Sequence, residues 1–406
     1  MSNPFILAHL SDVHLAPLPP FTLRHWNVKR VLGYLNWRRG RRSVHTRDAL
    51  DRITADLAAQ APDHIAVTGD LVNLALDAKI QLAHLWLEEL GPAARITVVP
   101  GNHDAYVPGS LAKACRAWGD YMAGDGVPAP SIVTNKSGKT LGATMPVKTQ
   151  ADLGMPENVR FIQNRVAFSV LNIQGSNNSL QPWTGLGETT AAPGQLAEVE
   201  HRTDAVLAQI RRTFADAERR NDRAVVLMTQ ADMFDPSLLA AAAANPDTMS
   251  SFRDIVQAIV EETNSYDAPV YLINSDSHVF AENQPLAEGS PWLDIYGQPA
   301  AADLQRITVD GSANATNYLR FTVAGNSADG ADVLAWEKVP FSQKALTEAD
   351  DGGRSCRRPV TALSAGGRAL SVSRRQDFRQ GRHGIVAGGC HGQCAMGGTD
   401  FNGFLN

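Results

Sequence analysis

The sequence predicts an α/β fold, and three observations carry that prediction. Short apolar runs at Phe5–Leu10, His64–Thr68 and Arg95–Val99 each stop abruptly in turn-forming or polar residues, as buried strands do. Helical periodicity fills the stretches between them, and this alternation implies parallel strands joined by helical crossovers. The residues just past the runs, Asp12, His14, Asp70, Asn102, His103 and Asp104, are polar and chemically versatile. They would emerge at the carboxyl ends of strands, where open α/β sheets place their ligands.

Each element has a local cause. Residues 15–44 carry Pro17, Pro19 and Pro20, then Lys29, Arg30, Arg38, Arg39, Arg41 and Arg42 with Trp26 and Trp37 nearby. This insertion reads as a solvated helical loop, as a lid or cationic rim that draws in anions, or as a membrane-surface contact. Thr46 and Asp48 open a helix whose Leu50, Ile53 and Leu57 share a face. A second helix spans Leu74 to Leu90, with Leu82, Leu85, Trp86 and Leu90 as its apolar side and His84 as a structural residue. Ser110–Tyr121 is a third. From Ala123 to Glu157 the composition shifts to Gly, Pro, Ser, Thr and Lys, the mark of a linker or surface excursion.

The second half repeats the alternation. Val159–Gln163 and Val166–Ile173 are expected strands, followed by the turn Gly175-Ser176-Asn177-Asn178. Gln195–Arg212 is a helix with Leu196, Val199, Val206, Leu207 and Ile210 as its buried stripe, which leaves His201 on the polar side. Ala224–Thr229 is a strand ending at Gln230-Ala231-Asp232, and Phe252 to Val260 form a helix. Pro269–Ile273 is a strand ending at Asn274-Ser275-Asp276-Ser277-His278. Leu304–Val309, Asn317–Val323 and Val333–Val339 are expected as antiparallel strands closing a second sheet. From about Thr347 the pattern dissolves into Arg, Gly and Ser, so residues 346–406 are expected to form a disordered tail. Cys356, Cys390 and Cys394 with His383 and His391 lack the paired Cys-x-x-Cys spacing of a zinc knot and read better as chance or as a frame-shifted end.

Composition bounds the function. The 406 residues are 19% charged and 44% hydrophobic with a formal net charge of −5, which suits a soluble globular protein and gives no global field for nucleic acid. No run reaches the length of a transmembrane helix. The first strand starts at Phe5, leaving no removable leader ahead of it, so a cytoplasmic location is expected.

The strand-end residues are metal-ligand types, since carboxylate oxygens and imidazole nitrogens are donors for divalent zinc, iron and manganese. Asp12 and His14 are two apart and point the same way on an extended segment. Gly69 lets the backbone come close beside Asp70, whose carboxylate has the reach to bridge two ions.

Asp12-Val13-His14, Gly69-Asp70 and Gly101-Asn102-His103-Asp104, in this order and each after a strand, resemble the first three blocks of the calcineurin-like metallophosphoesterase family. The resemblance implies a four-layer α-β-β-α sandwich of two packed mixed sheets over residues 1–345. It also implies hydrolysis of phosphoesters by a metal-activated water at a dinuclear site. A first ion, manganese, iron or zinc, would be held by Asp12, His14, Asp70 and His278. A second would have Asp70 and Asn102, with Gln230 and Asp276 where the family carries histidines; between Asp104 and the tail the only histidines are His201 and His278. That oxygen-rich set suits manganese or magnesium, bound weakly. His103 would meet the phosphate or leaving oxygen as donor or general acid, with Asp104 orienting its ring.

Pro156-Glu157-Asn158-Val159-Arg160, the Gly175–Asn178 turn, Gln230–Phe234 and Asp276–Phe280 resemble a mainly secreted bacterial branch of the same family. The first ~120 residues resemble instead the cytoplasmic branch of cyclic-nucleotide phosphodiesterases and DNA-repair-type exonucleases. A join at residues 123–137 is one explanation. A small-molecule phosphodiester is the expected substrate, because a centre short of charge draws a doubly charged monoester less. The alternatives are a phosphomonoesterase, a nuclease whose basic groove would be the 29–42 cluster, and a degenerate metal-binding pseudo-enzyme.

Overall fold

The computed structural model describes residues 3–15, 47–105, 107–122, 132–134, 140–143, 146–182, 188–311, 317–325 and 333–340. The basic insertion past residue 15, most of the 123–137 stretch and the tail with its cysteines and histidines lie outside the described residues. The described residues all belong to the first of the chain's two contact units, Met1–Gly352.

Two mixed sheets dominate the first unit. One has five strands in the order β14 (Leu334–Pro340), β13 (Asn317–Val323), β1 (Phe5–Leu10), β2 (His64–Thr68) and β3 (Ile96–Val99). In it β1, β2 and β3 are parallel, joined by helices α1 (Arg47–Gln60) and α2 (Asp77–Leu90). The other has seven strands, in the order β11 (Ala281–Asn283), β12 (Leu304–Thr308), β10 (Val270–Asn274), β9 (Ala224–Met228), β8 (Val166–Val170), β7 (Met155–Gln163) and β6 (Lys148–Gln150). Its centre, β8, β9, β10 and β12, is parallel and is crossed by α4 (Pro193–Arg220) and α6 (Arg253–Ser265). The hairpin of β4 (Ile132–Thr134) and β5 (Thr140–Ala143) forms a small separate ribbon, and α3 (Ser110–Ala117), α5 (Leu239–Ala244) and α7 (Pro291–Tyr296) complete the helices.

Three cores set the layers. Phe5, Leu7, Ala66, Leu319 and Phe321 of the first sheet meet Phe161, Phe168, Val226 and Ile273 of the second. Leu50, Ile53 and Leu57 of α1 and Ile80, Ala83 and Leu87 of α2 cover the outer face of the first sheet. Val206, Ile210 and Phe214 of α4 and Ile255, Val256 and Ile259 of α6 cover the outer face of the second. Helix, sheet, sheet, helix is the expected four-layer sandwich.

Several expectations need correction. The three late strands do not form one antiparallel set: β12 lies parallel to β10 in the second sheet, while β13 returns to the first and pairs antiparallel with β1. The largely buried pattern of β12, with only Gln305 part-exposed, suits a parallel strand covered on both faces. Helix α2 begins at Asp77 rather than Leu74 and turns Ile80, Ala83 and Leu87 inward with Trp86 and Leu90, leaving Leu85 exposed. Leu196 on α4 is likewise exposed. Both are leucines at the border of an apolar stripe, which periodicity alone does not place. The third helix stops at Ala117, and a short 3-10 turn follows at Gly119–Tyr121. Among the described residues no helix is long and apolar enough to cross a membrane.

Candidate metal centre

Six strands from two sheets end at one cleft. Strands β1, β2 and β3 deliver Asp12, His14, Asp70, Asn102 and His103, while β9 and β10 deliver Gln230, Asp276 and His278. Strand β8 leads, past Gln174, into the Gly175–Asn178 turn. The turns at β1 and β2 are laced together by backbone bonds, Asp12 N–H to Gly69 O (3.1 Å) and His14 N–H to Asp70 O (2.9 Å). Asp12, His14, Asp70, Asp276 and His278 all have positive φ, between 42° and 64°. Non-glycine residues held there cost of order 1–3 kcal/mol each and persist where surrounding contacts over-determine them.

Ligand atoms converge. Three overlapping sets, Asp12–His14–His278, His14–Asp70–His103 and Asp12–Asp70–Asp276, each have donor atoms within 4.8 Å of one another. His278 Nε2 lies 3.1 Å from Asp12 Oδ1, and the His14 and His103 rings meet edge to face at 5.0 Å. Asp12 also accepts from the hydroxyls of Ser11 and Ser275. Burial would raise its pKa, yet His278 and the two hydroxyls outweigh burial and hold it at about 2. Asp70 goes the other way: burial, then the charges of Asp12, Asp104 and Asp276, push it well above the carboxylate range against one bond from the His103 N–H. Burial and Asp12 push Asp276 up to about 7.

These observations test whether a cation fits. Asp70 Oδ2 is buried and finds no hydrogen-bond donor among the described residues. Asp12, Asp70 and Asp276 crowd together, and the groups recorded against them among the described residues are imidazoles, amides and hydroxyls. Buried charge of one sign needs a counter-charge, and two imidazoles beside carboxylates are a divalent-metal donor set. Asp12, His14 and His278 form one such set, and Asp70 shares His14 with the second and Asp12 with the third, so the donor chemistry suits a divalent cation. At the expected second position Asp70 lies near Asp276, and Gln230 joins Asp276 to Asn102, but it does so with its amide nitrogen. Gln230 Nε2 lies 3.0 Å from Asp276 Oδ1 and 3.2 Å from Asn102 Oδ1.

Asp104 does not orient His103. Its carboxylate accepts from the backbone N–H groups of Gly101 (2.9 Å), Val72 (3.0 Å) and Leu71 (3.3 Å), so it ties the β3 turn to the β2 turn. The ring of His103 is set instead by its Nδ1, 2.9 Å from the Asn73 carbonyl oxygen. The correction has a simple cause: Asp104 is fully buried behind the turn, while His103 faces the cleft. Burial pushes the Asp104 carboxyl up to about 7, although the N–H groups of Gly101, Val72 and Leu71 oppose it. His84, read as structural, and His201, read as a surface residue, have other partners: His84 sits beside Glu88 (3.6 Å) and Tyr121, and His201 contacts the Leu153 carbonyl oxygen (3.1 Å).

Sequence reasoning missed the groups that brace the second half. Ser176, Asn177, Asn178 and Ser179 are consecutive left-handed residues with φ between 54° and 61°. Left-handed backbone costs ordinary residues about 1–2 kcal/mol each, and Asn tolerates it best. The cost is met by a buried network: Arg202 donates to the Asn178 side chain and carbonyl, Gln174 Nε2 to Asn172 Oδ1 (2.9 Å), and Asn172 Nδ2 to Glu157 Oε1 (2.8 Å). Ser176 Oγ accepts from Asn102 Nδ2 (3.1 Å), joining the two halves. A Cβ on Gly175 would overlap the Asp276 carboxylate, so only glycine fits there. The Gly and Asn content of this turn was its only signal.

Solved structures similar to this chain include a dimetal phosphatase from Danio rerio, at 10% identity over 83% of this chain and 99% of that one, with a TM-score of 0.43. A 5'-nucleotidase precursor from Thermus thermophilus is 13% identical over 84% of this chain and 55% of its own, with a TM-score of 0.35. A purple acid phosphatase from Lupinus luteus seeds is 10% identical over 83% and 52%, with a TM-score of 0.39. No curated protein matches the chain. A model of the calcineurin-like phosphoesterases matches residues 5–166, the stretch that carries Asp12, His14, Asp70, Asn102 and His103, and it is this part of the chain that is similar to that family.

Proposed function

We propose that the protein hydrolyses phosphodiesters of small-molecule substrates, with a divalent cation such as manganese, iron or zinc at Asp12, His14, Asp70 and His278. The observation that carries this reading is the convergence of those four side chains, from both sheets, around a carboxylate whose inner oxygen lacks a donor among the described residues. When bound, the cation supplies positive charge for phosphoryl oxygens and acidifies water.

The chain's own groups supply the rest. The Asn73 carbonyl accepts from His103 Nδ1–H, which fixes the tautomer and leaves Nε2 to face a substrate oxygen. In this role His103 acts as the imidazolium, protonated from solvent at Nε2, whose N–H donates to a phosphate oxygen and then passes its proton to the leaving oxygen. Ser11 and Ser275 keep Asp12 ionised and aimed, and Asp104 holds the β2 and β3 turns at a fixed separation. Diesters are favoured over monoesters because the carboxylates of Asp12, Asp70 and Asp276 leave little net positive charge to attract a dianion.

The test is hydrolysis of bis(p-nitrophenyl) phosphate and p-nitrophenyl phosphate by chelator-stripped protein before and after manganese loading. Turnover is expected only after loading, with the diester faster. Loaded protein without turnover would support the pseudo-enzyme alternative and overturn the hydrolase reading.

A further inference from the structure

Gln230 meets the centre in a way that a metal ligand does not. Its side chain is buried, and its stem lies against the Gly69 backbone, where a Cβ would sit 2.5 Å from Gln230 Cγ. The Gly175 N–H donates to Gln230 Oε1 at 2.7 Å. A backbone N–H needs an acceptor, so this bond fixes which end of the amide is oxygen. The carbonyl that would have ligated an ion is thereby committed. Nε2 points the other way, 3.0 Å from Asp276 Oδ1, 3.2 Å from Asn102 Oδ1 and 3.4 Å from Asp12 Oδ1.

Converging oxygens of this kind are what a hard cation asks for. Here an NH2 group sits among them. The backbone of Gln230 is held on both sides, by Ser275 N–H to Gln230 O (3.1 Å) and Ala231 N–H to Ile173 O (3.0 Å). Two residues on, the buried Arg306 guanidinium grips the Asp232 carboxylate and the Phe234 carbonyl. The amide is therefore part of a fixed frame rather than a surface side chain that has folded inward.

We infer that Gln230 stands in for the second cation: the chain holds one divalent ion, at Asp12, His14, Asp70 and His278, and the amide fills the neighbouring position with N–H donors. The inference rests on the metal-centre reading above and narrows its substrate class. An amide satisfies the oxygens of Asp276, Asn102 and Asp12 but adds no net charge. A centre built so accepts a singly charged diester and disfavours a doubly charged monoester. Asn102, bonded to Gln230 through Oδ1 and to Ser176 through Nδ2, becomes a positioning residue that joins the two sheets.

The experiment compares the full-length wild type with Gln230→Glu, which keeps the size of the side chain and turns the donor into a carboxylate ligand. Both are loaded with manganese and desalted, metal per chain is measured by elemental analysis, and the ions are examined by electron paramagnetic resonance. One manganese per chain with the spectrum of an isolated ion is expected for the wild type. Two per chain with an exchange-coupled spectrum are expected for Gln230→Glu, with kcat/KM for the monoester rising relative to the diester. Two coupled ions in the wild type would overturn the inference, and a single ion in Gln230→Glu would overturn Gln230 as the excluding group. Absence of manganese from both would overturn the metal-centre reading beneath it, a result distinct from either.

Discussion

The five-stranded sheet brings Asp12, His14, Asp70 and His103 to the cleft on turns stitched by backbone hydrogen bonds, with the buried Asp104 accepting from three of them. The seven-stranded sheet brings Gln230, Asp276 and His278 on turns held by side chains remote in sequence: Glu157, Asn172, Asn178 and Arg202 on one flank, Asp232 and Arg306 on the other. One half is a local design, so its chemistry travels with short motifs. The other is a tertiary design, in which an amide and a left-handed turn stay in place only because a polar network surrounds them.

The largest effects are expected at the first sheet. Asp70→Asn removes the carboxylate common to two of the converging ligand sets and should lower hydrolysis of bis(p-nitrophenyl) phosphate by more than ~10²-fold, with metal content falling in parallel. His103→Ala should lower kcat by about 10²–10⁴-fold while metal content stays at the wild-type value, as expected of a proton donor rather than a ligand. If metal and activity fell together in His103→Ala, the division of roles between His14 and His103 would be wrong.

Next come the braces of the second sheet. Arg306→Leu leaves the Asp232 carboxylate buried without its partner and should cost about 3–5 kcal/mol in denaturant unfolding. The exposed pair of Arg320 with Glu337 is the control, and Arg320→Ala should cost less than about 1 kcal/mol. Equal costs would mean that the Asp232–Arg306 pair does not hold the Gln230 loop. Gly175→Ala, whose methyl overlaps Asp276, should distort that turn and reduce hydrolysis without unfolding the protein, read by circular dichroism alongside activity.

A smaller effect concerns pH. His9 and His64 are buried in the first sheet against the hydroxyls of Thr68 and Thr97, and burial lowers both to about 3 from an ordinary 6.5. The unfolded chain binds protons there that the folded chain refuses, so stability is lost as pH falls from about 6.5 toward 3. Each histidine contributes a slope of about 1.4 kcal/mol per pH unit in that window. His64→Gln should remove one such slope, measured from urea midpoints across pH; an unchanged slope would show that His64 is charged or solvated.

The sequence made the first half legible because strand, turn and ligand are contiguous there: Phe5–Leu10 leads straight into Asp12 and His14, and Ile96–Val99 into Asn102 and His103. Gln230, Asp276 and His278 were also recoverable, since each follows an apolar run. The orientation of Gln230 was not, because the Gly175 N–H that fixes it comes from a turn whose left-handed backbone no periodicity signals. The function of Asp104 was misjudged for a related reason: its partners are backbone groups of another strand's turn, which side-chain chemistry does not encode. The return of β13 to the first sheet, likewise, is decided by pairing with β1 rather than by any feature of Asn317–Val323 alone.

The most direct test of the central claim, that both sheets build one metal centre, is anomalous scattering from crystals of the manganese-loaded protein. The expected result is a peak in contact with Asp12, His14 and Asp70 from one sheet and His278 from the other. A peak bound by the first sheet alone, or no peak among these side chains, would contradict it.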